Sequence, residues 1–227
     1  MKNLFVISLG GSLINPGEVD VAFLKKFKAL IESRVKKGDR FIIVTGGGKL
    51  CRHYQSALSQ LRKTTATDLD WIGIHTTRFN GQLVKMMFGK LAHNELAGDP
   101  TKKISHKQPI LIAAGWEPGW STDYDTVELA KVYGAKTIIN LSNIDYAYTK
   151  DPRKFKDAKK IESISWPNFQ KIVGHKWDPG LSVPFDPIAS KLAAKIGLRV
   201  IVTNGLKLDN LKKILEGKKF IGTVIKN

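Results

Sequence analysis

Short runs of apolar residues, spaced along the whole chain, are the clearest pattern in the sequence. Within each run the apolar residues follow one another with little polar interruption, as in "LFVISL" (4–9) and "FIIVT" (41–45). A strand has this composition when both faces of its sheet are covered, as in parallel sheets flanked by helices. The runs predict strands at 4–9, 41–45, 109–114, 136–141, 199–203 and 220–225.

Segments with apolar residues at helical spacing separate these runs. The segment 20–37 places its apolar residues on one helical face, and Gly38 follows as a natural helix stop. Strands alternating with helices of this length predict an α/β fold with a largely parallel central sheet. Further helices are predicted at 69–91, 126–133, 167–173, 187–196 and 208–215, with less regular structure elsewhere in 142–185.

Glycines follow three of the predicted strands, in Gly10–Gly11–Ser12, Gly46–Gly47–Gly48 and the segment Gly115–Ser121. A missing Cβ lets backbone N–H groups approach an anion, and the helix that follows adds its partial positive end. Ligands of such sheets bind at the carboxyl ends of the strands. The three segments therefore predict a site for two phosphorylated ligands or for one long one. Their spacings match neither the P-loop nor the GxGxxG dinucleotide pattern.

Charged residues near these strand ends are candidates for the chemistry. Arg52 lies one helical turn after Gly48, where its planar guanidinium suits a phosphate, although a surface arginine is the simpler alternative. Asp70 either caps a helix or accepts hydrogen bonds from ribose hydroxyls. Asp186 is typical of an N-cap, and Lys191 one turn later is typical of a solvent-exposed side chain.

The loop "NIDYAYTKDPR" (143–153) carries two carboxylates and two tyrosines after a predicted strand. Such a loop could hold a nucleobase, but many ordinary loops have the same composition. The five histidines (53, 75, 93, 106 and 175) show no metal-ligand spacing.

The chain is strongly basic, with 37 Lys and Arg against 20 Asp and Glu and a formal net charge of +17 over 227 residues. This charge would attract nucleic acid, anionic lipid or phosphorylated small molecules, or it reflects a lysine-rich surface. Aromatic and basic residues do not interleave as in a single-strand nucleic-acid platform, which makes a nucleic-acid partner unlikely. The single cysteine, Cys51, fits a reducing compartment, and no apolar run is long enough to span a membrane. We therefore expect a cytoplasmic protein without a membrane partner.

Several segments, taken in order, resemble the amino acid kinase superfamily and, within it, the archaeal-like UMP kinases. They are "LGGSL", "VTGGGKLCR", "DWIGIHTTRFN", "GWEPGWSTD", "NIDYAYTKDPR" and "FDPIASKLAAKIGLRVIV". The resemblance implies a three-layer α/β/α sandwich that transfers the γ-phosphoryl group of ATP to UMP, with Mg²⁺, in a homohexamer. It implies one domain over 1–227, with the acceptor nucleotide on the side of 1–135 and ATP on the side of 136–227.

The resemblance also implies roles for residues at matching positions. Catalytic roles fall on Arg52, Asp186 and Lys191. ATP would contact Gly10, Gly11, Gly48, Arg52, Ser142, Tyr148 and Asp151. UMP would contact Gly47, Asp70, Gly115, Trp116, Glu117, Pro118, Gly119, Trp120, Ser121 and Thr122. Mg²⁺ would be held mainly by substrate phosphates, without a dedicated metal site.

Two positions depart from the family pattern. Ser8 stands where the family commonly has a lysine, so we expect another cation, Lys49, Arg52 or Lys191, to supply that charge. Tyr146 stands where the pattern has glycine, which predicts strain if the turn needs a positive φ. Trp116 and Trp120 are bulky for an acceptor loop and either stack on uracil or pack at a subunit interface. Two alternatives follow: a nucleotide-binding storage or regulatory protein that no longer transfers phosphate, and a kinase of this fold with another small acceptor.

Overall fold

The structure is a computed structural model that describes residues 3–152, 154–174 and 183–227. Arg153 and His175, which belong to the loop and the histidine set considered above, lie outside the described residues. The strands are β1 (Leu4–Leu9), β2 (Arg40–Thr45), β3 (Ile110–Ala113), β4 (Thr137–Ser142), β5 (Ala147–Tyr148), β6 (Lys160–Ile161), β7 (Ser163–Ser165), β8 (Arg199–Asn204) and β9 (Thr223–Lys226). The helices are α1 (Gly11–Ile14), α2 (Val21–Lys36), α3 (Gly48–Leu61), α4 (Ala66–Phe88), α5 (Thr122–Tyr133), α6 (Trp166–Val173), α7 (Pro187–Lys195) and α8 (Leu208–Leu215), with a 3₁₀ turn at Gly89–Leu91.

Seven of these strands form one sheet in the order β3-β2-β1-β4-β8-β9-β7. The five strands from β3 to β8 run parallel. Strand β9 is antiparallel to β8 and parallel to β7. The predicted α/β sandwich with a mostly parallel central sheet is confirmed, and the carboxyl ends of β1, β2 and β3 meet at one edge.

Helices cover both faces of the sheet and divide the core into two clusters. Successive strand residues alternate between the clusters, as Val6 and Ile7 of β1 do, because side chains of a strand point to opposite faces in turn. One cluster contains side chains of α5, α6 and α7. The other contains side chains of α1, α2, α4 and α8. Helix α3 has no buried residue and packs outside the sandwich against α4.

Two helices begin earlier than their apolar periodicity predicted, because polar side chains cap them. Helix α4 begins at Ala66, where Thr65 and Asp68 form a capping box. Helix α5 begins at Thr122 rather than at 126, because the Ser121 hydroxyl accepts a hydrogen bond from the Tyr124 amide at 3.1 Å. The start of α5 therefore lies at the end of the third glycine segment, beside the sheet edge.

The last strand is shorter than predicted, at Thr223–Lys226 instead of 220–225. Within the described ranges, no helix is both long enough and apolar enough to cross a membrane.

Candidate active site

A cavity of about 250 Å³ opens at the carboxyl edge of the sheet, between α4, the start of α3 and the start of α5. Nine of the predicted site residues line it, namely Gly47, Gly48, Arg52, Asp70, Gly115, Trp120, Ser121, Thr122 and Asp186. The sequence analysis did not assign the remaining lining residues to the site: Cys51, Gln55, Gly73, Ile74, Thr77, Asp123 and Val183.

The first two glycine segments pack directly against each other at the ends of β1 and β2. The Gly46 amide donates to the carbonyl of Leu9 at 3.0 Å. A Cβ on Gly46 would lie 2.6 Å from the nitrogen of Gly11, closer than real Cβ atoms approach. Glycine is required here by the close approach of two backbones, in addition to any contact with a phosphate.

The third glycine segment is held by side chains of α4. Thr77 Oγ1 accepts a hydrogen bond from the Gly115 amide at 2.9 Å and donates to the carbonyl of Ile74 at 2.7 Å. Asp70 Oδ2 accepts from the Gly119 amide at 2.8 Å. Partial burial raises the pKa of Asp70, and the Gly119 amide opposes that rise. Only one carboxylate oxygen of Asp70 is therefore engaged by the described residues.

Helix α4 also holds the second glycine segment. Asn80 Nδ2 donates to the carbonyls of Gly46 and Gly47, at 2.8 and 3.2 Å. Thr45 Oγ1, at the end of β2, lies 3.0 Å from the carbonyl of Thr77 and 3.2 Å from that of Ala113. One helix thus fixes two glycine segments with respect to each other.

Two carboxylates meet at the opposite side of the cavity. Asp123 Oδ2 accepts from the Asp186 amide at 3.0 Å, and Asp123 Oδ1 lies 3.5 Å from the Ser8 hydroxyl. Burial, reinforced by the negative charge of Asp186, raises the pKa of Asp123 to about 7. Asp186 is buried and caps α7 by accepting from the Ala189 amide at 2.6 Å. Its second oxygen, Oδ2, is buried and has no hydrogen-bond partner in the described ranges.

This pair of carboxylates fits a divalent cation. Mg²⁺ commonly binds to one or two carboxylates together with substrate phosphates. The unpartnered Oδ2 of Asp186 beside Asp123 matches that requirement. No group of three or more histidine, cysteine, aspartate or glutamate side chains in the described ranges could hold a metal without such help.

The predicted cations differ in their relation to the cavity. Arg52 lies in the second turn of α3, is exposed to solvent and lines the cavity. Lys49 and Lys191 are also exposed, but neither is a lining residue. Arg52 is therefore the one of these three cations that lines the cavity, while Ser8 is buried against Asp123.

The residues predicted to contact ATP lie mainly outside this cavity. The Gly10 amide donates to the carbonyl of Leu141 at 3.0 Å, which ties the end of β1 to β4. Ser142 is the last residue of β4, and Tyr148 lies in the short β5. The carbonyl of Asp151 accepts from the amides of Lys154 and Phe155. These residues follow β1 and β4, on the side of the sheet away from β3.

Tyr146 is not strained, contrary to the expectation from the family pattern. No non-glycine residue in the described ranges has a positive φ. The tyrosine ring instead lies under the ammonium group of Lys160, 5.2 Å from the ring centroid. The turn has a conformation that any residue adopts, so glycine is not required there.

Comparison with known proteins places this architecture in a family. The model of the amino acid kinase family matches residues 3–204. The chain belongs to the amino acid kinase family. A uridylate kinase of Thermoplasma acidophilum is 32% identical over 227 residues, covering 99% of this chain and 97% of that protein. A uridylate kinase of Pyrococcus abyssi is 31% identical and covers 94% of this chain and 95% of that protein.

Solved structures agree with the family. The uridylate kinase of Archaeoglobus fulgidus superimposes with a TM-score of 0.81 at 30% identity, covering 99% of this chain and all of that one. A UMP kinase of Bacillus anthracis, at 20% identity and a TM-score of 0.74, shares the fold.

Most of the side chains that position the glycine segments were missed by sequence reasoning. Thr77, Arg78 and Asn80 lie within "DWIGIHTTRFN", from which only Asp70 was chosen. For Thr77 and Arg78 the signal was helical spacing, since positions seven and eight residues after Asp70 return to its face of the helix. Asn80 lies ten residues after Asp70, away from that face, and carried no such signal. Asp123 directly follows the chosen segment, and its partner Ser8 carried no sign of a contact 115 positions away.

The raised pKa of Asp123 leads to a prediction about stability. Its folded-state pKa of about 7 exceeds the ordinary value of 3.8, so the folded protein binds the proton more tightly than the unfolded chain. Between these two values the free energy of unfolding therefore falls with rising pH, by at most about 1.4 kcal/mol per pH unit, and above pH 7 the contribution is constant. Asp123→Asn removes this slope.

Urea unfolding of both proteins at pH 5 and pH 8 tests this prediction, because comparison with the variant cancels other titrating groups. We expect the gain in stability of Asp123→Asn over wild type to be larger at pH 8, by roughly 2 kcal/mol. An equal difference at both pH values would show that the carboxylate of Asp123 is not perturbed.

Proposed function

We propose that the chain is a UMP kinase that uses Mg²⁺ and ATP to convert UMP to UDP. The observation that carries this proposal is the cavity at the sheet edge, which Arg52, Asp70 and residues of two glycine segments line together. A guanidinium beside backbone amides suits a phosphate, and a half-buried carboxylate with one unengaged oxygen suits a ribose. The relatives named uridylate kinase extend over nearly the whole chain.

The geometry supports a division of the site between the two nucleotides. The acceptor would lie in the cavity, against Gly47, Asp70 and the segment 115–122. The donor would lie along Gly10 and Gly11 toward Ser142, Tyr148 and Asp151. In one domain over 1–227, the acceptor side would then be 1–135 and the donor side 136–227, with Gly48 and Arg52 at the junction.

Phosphoryl transfer needs alignment and neutralisation of charge more than a covalent contribution from the protein. Arg52 would bind the phosphates at the junction, and the helix start at Ser121–Thr122 would present amides to an anion. Bound with ATP, Mg²⁺ supplies positive charge at the transferring group, and Asp123 and Asp186 are the residues that would hold it on the protein side. Lys191, one turn into α7, remains a proposed catalytic residue on the strength of the family resemblance.

The exposed face of α4 supports a homo-oligomer, for which the family resemblance implies a hexamer. Trp71, Phe79 and Met86 are 43%, 71% and 68% exposed at near-helical spacing on that helix. An apolar stripe of this kind is typical of a subunit interface. A monomer in light scattering would remove this part of the proposal. The proposal also includes a cytoplasmic location, which the single cysteine suggests.

Ser8 in place of the family lysine favours one rival, a protein that binds both nucleotides without transferring phosphate. A panel assay separates the candidates by measuring ADP released from Mg-ATP with UMP, CMP or another small acceptor. We expect release with UMP well above that with the other acceptors. Binding of both nucleotides without release would favour the rival, and release with a different acceptor alone would contradict UMP as the substrate.

Two substitutions are expected to affect different steps. Asp70→Ala removes a charged hydrogen-bond acceptor, so the KM for UMP should rise about tenfold to a hundredfold while the KM for ATP stays nearly unchanged. Arg52→Ala should lower kcat by about 10² to 10³, as the loss of a group that stabilises transition-state charge does. Because Arg52 is exposed, its variant should keep the wild-type unfolding midpoint.

Steady-state kinetics in both substrates measures these effects. Asp70→Asn is the matched control, because its amide oxygen can still accept from Gly119. An Asp70→Ala enzyme with equal changes in both KM values would contradict the division of the site, and normal turnover by Arg52→Ala would exclude Arg52.

A further inference from the structure

Arg78 lies beside the site and does not itself line the cavity. It extends from α4 to the start of the third glycine segment, where Nε donates to the carbonyl of Gly115 at 3.0 Å and Nη2 donates to that of Trp116 at 2.8 Å. A planar guanidinium can bind two successive carbonyls at once, which the single ammonium group of a lysine cannot do in the same geometry. Arg78 therefore fixes both the position and the direction of the backbone at Trp116.

Trp116 in turn helps to position Trp120, because the two rings are in contact. Its ring meets that of Trp120 edge to face, with centroids 4.6 Å apart and an interplanar angle of 89°. Trp120 meets Tyr124 of α5 in the same way, at 4.4 Å and 83°. We call these three residues the aromatic ladder. Of its members only Trp120 lines the cavity, which Asp70 and Ile74 also line.

A buried carboxylate lies close enough to Arg78 to interact with its charge. Asp125 of α5 has no exposed surface. Burial raises the pKa of Asp125, and the backbone amide of Trp116, followed by the positive charge of Arg78, opposes that rise. This attraction helps to hold the guanidinium against the loop, since an isolated buried carboxylate is costly.

We propose that Arg78 is a positioning residue that, through the aromatic ladder, fixes the Trp120 indole as the wall on which the planar base of the acceptor stacks. This inference rests on the proposed function and specifies how the acceptor base is recognised. Stacking on an aromatic side chain strengthens the binding of a base by about tenfold and tolerates different bases. The ladder thus supplies affinity for a pyrimidine ring, and other contacts select among pyrimidines.

The test compares Arg78→Met with Lys85→Met. Lys85 is also a cation of α4 that donates to a backbone carbonyl, that of Asn94 at 2.6 Å, but it lies away from the cavity. We expect Arg78→Met to weaken UMP binding and raise the KM for UMP by about tenfold or more, with the KM for ATP changed less than about twofold. Lys85→Met should resemble wild type in both substrates.

Trp120→Leu shows whether the effect passes through the ladder. We expect it to produce the same loss of UMP affinity, and Arg78→Met added to Trp120→Leu should weaken binding by less than about twofold more, because coupled residues are not additive. Near-UV circular dichroism provides a structural signal. Both single variants should lose the part of the tryptophan signal that comes from the Trp116–Trp120 pair, while Lys85→Met keeps it.

Several outcomes would overturn the inference: equal losses for UMP and ATP in Arg78→Met, wild-type UMP affinity in Trp120→Leu, or fully additive effects in the double variant. If Arg78→Met does not fold, Arg78→Lys replaces it, because lysine keeps the charge but cannot donate to both carbonyls in the same geometry. Calorimetry of UMP binding separates the proposed kinase activity from the proposed role of Arg78. If the protein binds UMP without turnover, the kinase activity is refuted. The role of Arg78 is then tested by the UMP affinities of the same variants.

Discussion

The candidate site depends on one set of contacts, the hydrogen bonds from α4 to the glycine segments that follow β2 and β3. Thr77 and Arg78 hold the segment after β3 by its first amide and its first two carbonyls, and Asn80 holds the segment after β2. Parallel strands alone would bring these segments to one edge without fixing the distance between them. Because a single rigid helix binds both, the cavity has its shape before any ligand enters, and pre-organised sites gain affinity and rate by avoiding that ordering cost.

The electrostatics of the site follow from what the fold buries. Burial opposes the ionisation of both Asp123 and Asp186, and the negative charge of Asp186 adds to this effect at Asp123. A cation bound beside the two carboxyl groups would favour their ionised forms and lower their pKa values. The hydroxyl of Ser8 lies 3.5 Å from Oδ1 of Asp123, and Arg52 is the cation among the residues that line the cavity. The net charge of +17 is spread over a lysine-rich surface and does not by itself locate the site.

Much of the architecture could be predicted from the sequence, since apolar runs and helical spacing are local properties. The strands β1, β2, β4 and β8 were placed within one residue of their ends, and the three glycine segments were correctly expected at one sheet edge. Helix starts were harder, because the caps at Thr65 and Ser121 precede the apolar periodicity. The family resemblance, now confirmed by the match over 3–204, supplied roles that no spacing indicates.

The remaining parts of the site depend on contacts distant in sequence. Only the tertiary fold brings Ser8 to Asp123. The same holds for Arg78 and the carbonyl of Gly115, to which it donates. The expected strain at Tyr146 was wrong because a sequence pattern reports which residue is usual at a turn and not which φ the turn has. Local pattern therefore located the edge of the sheet where the cavity opens, and tertiary hydrogen bonds determined the shape of the cavity.

Hydrogen exchange of the backbone amides in 115–121 tests the central claim most directly, with UMP and a non-hydrolysable ATP analogue added separately. The Gly115 and Gly119 amides, held by Thr77 and Asp70, should already exchange slowly in the free protein. UMP should slow the segment further, and the ATP analogue alone should leave it nearly unchanged. Rapid exchange in the free protein, or slowing by the ATP analogue but not by UMP, would contradict a preformed acceptor site held by α4.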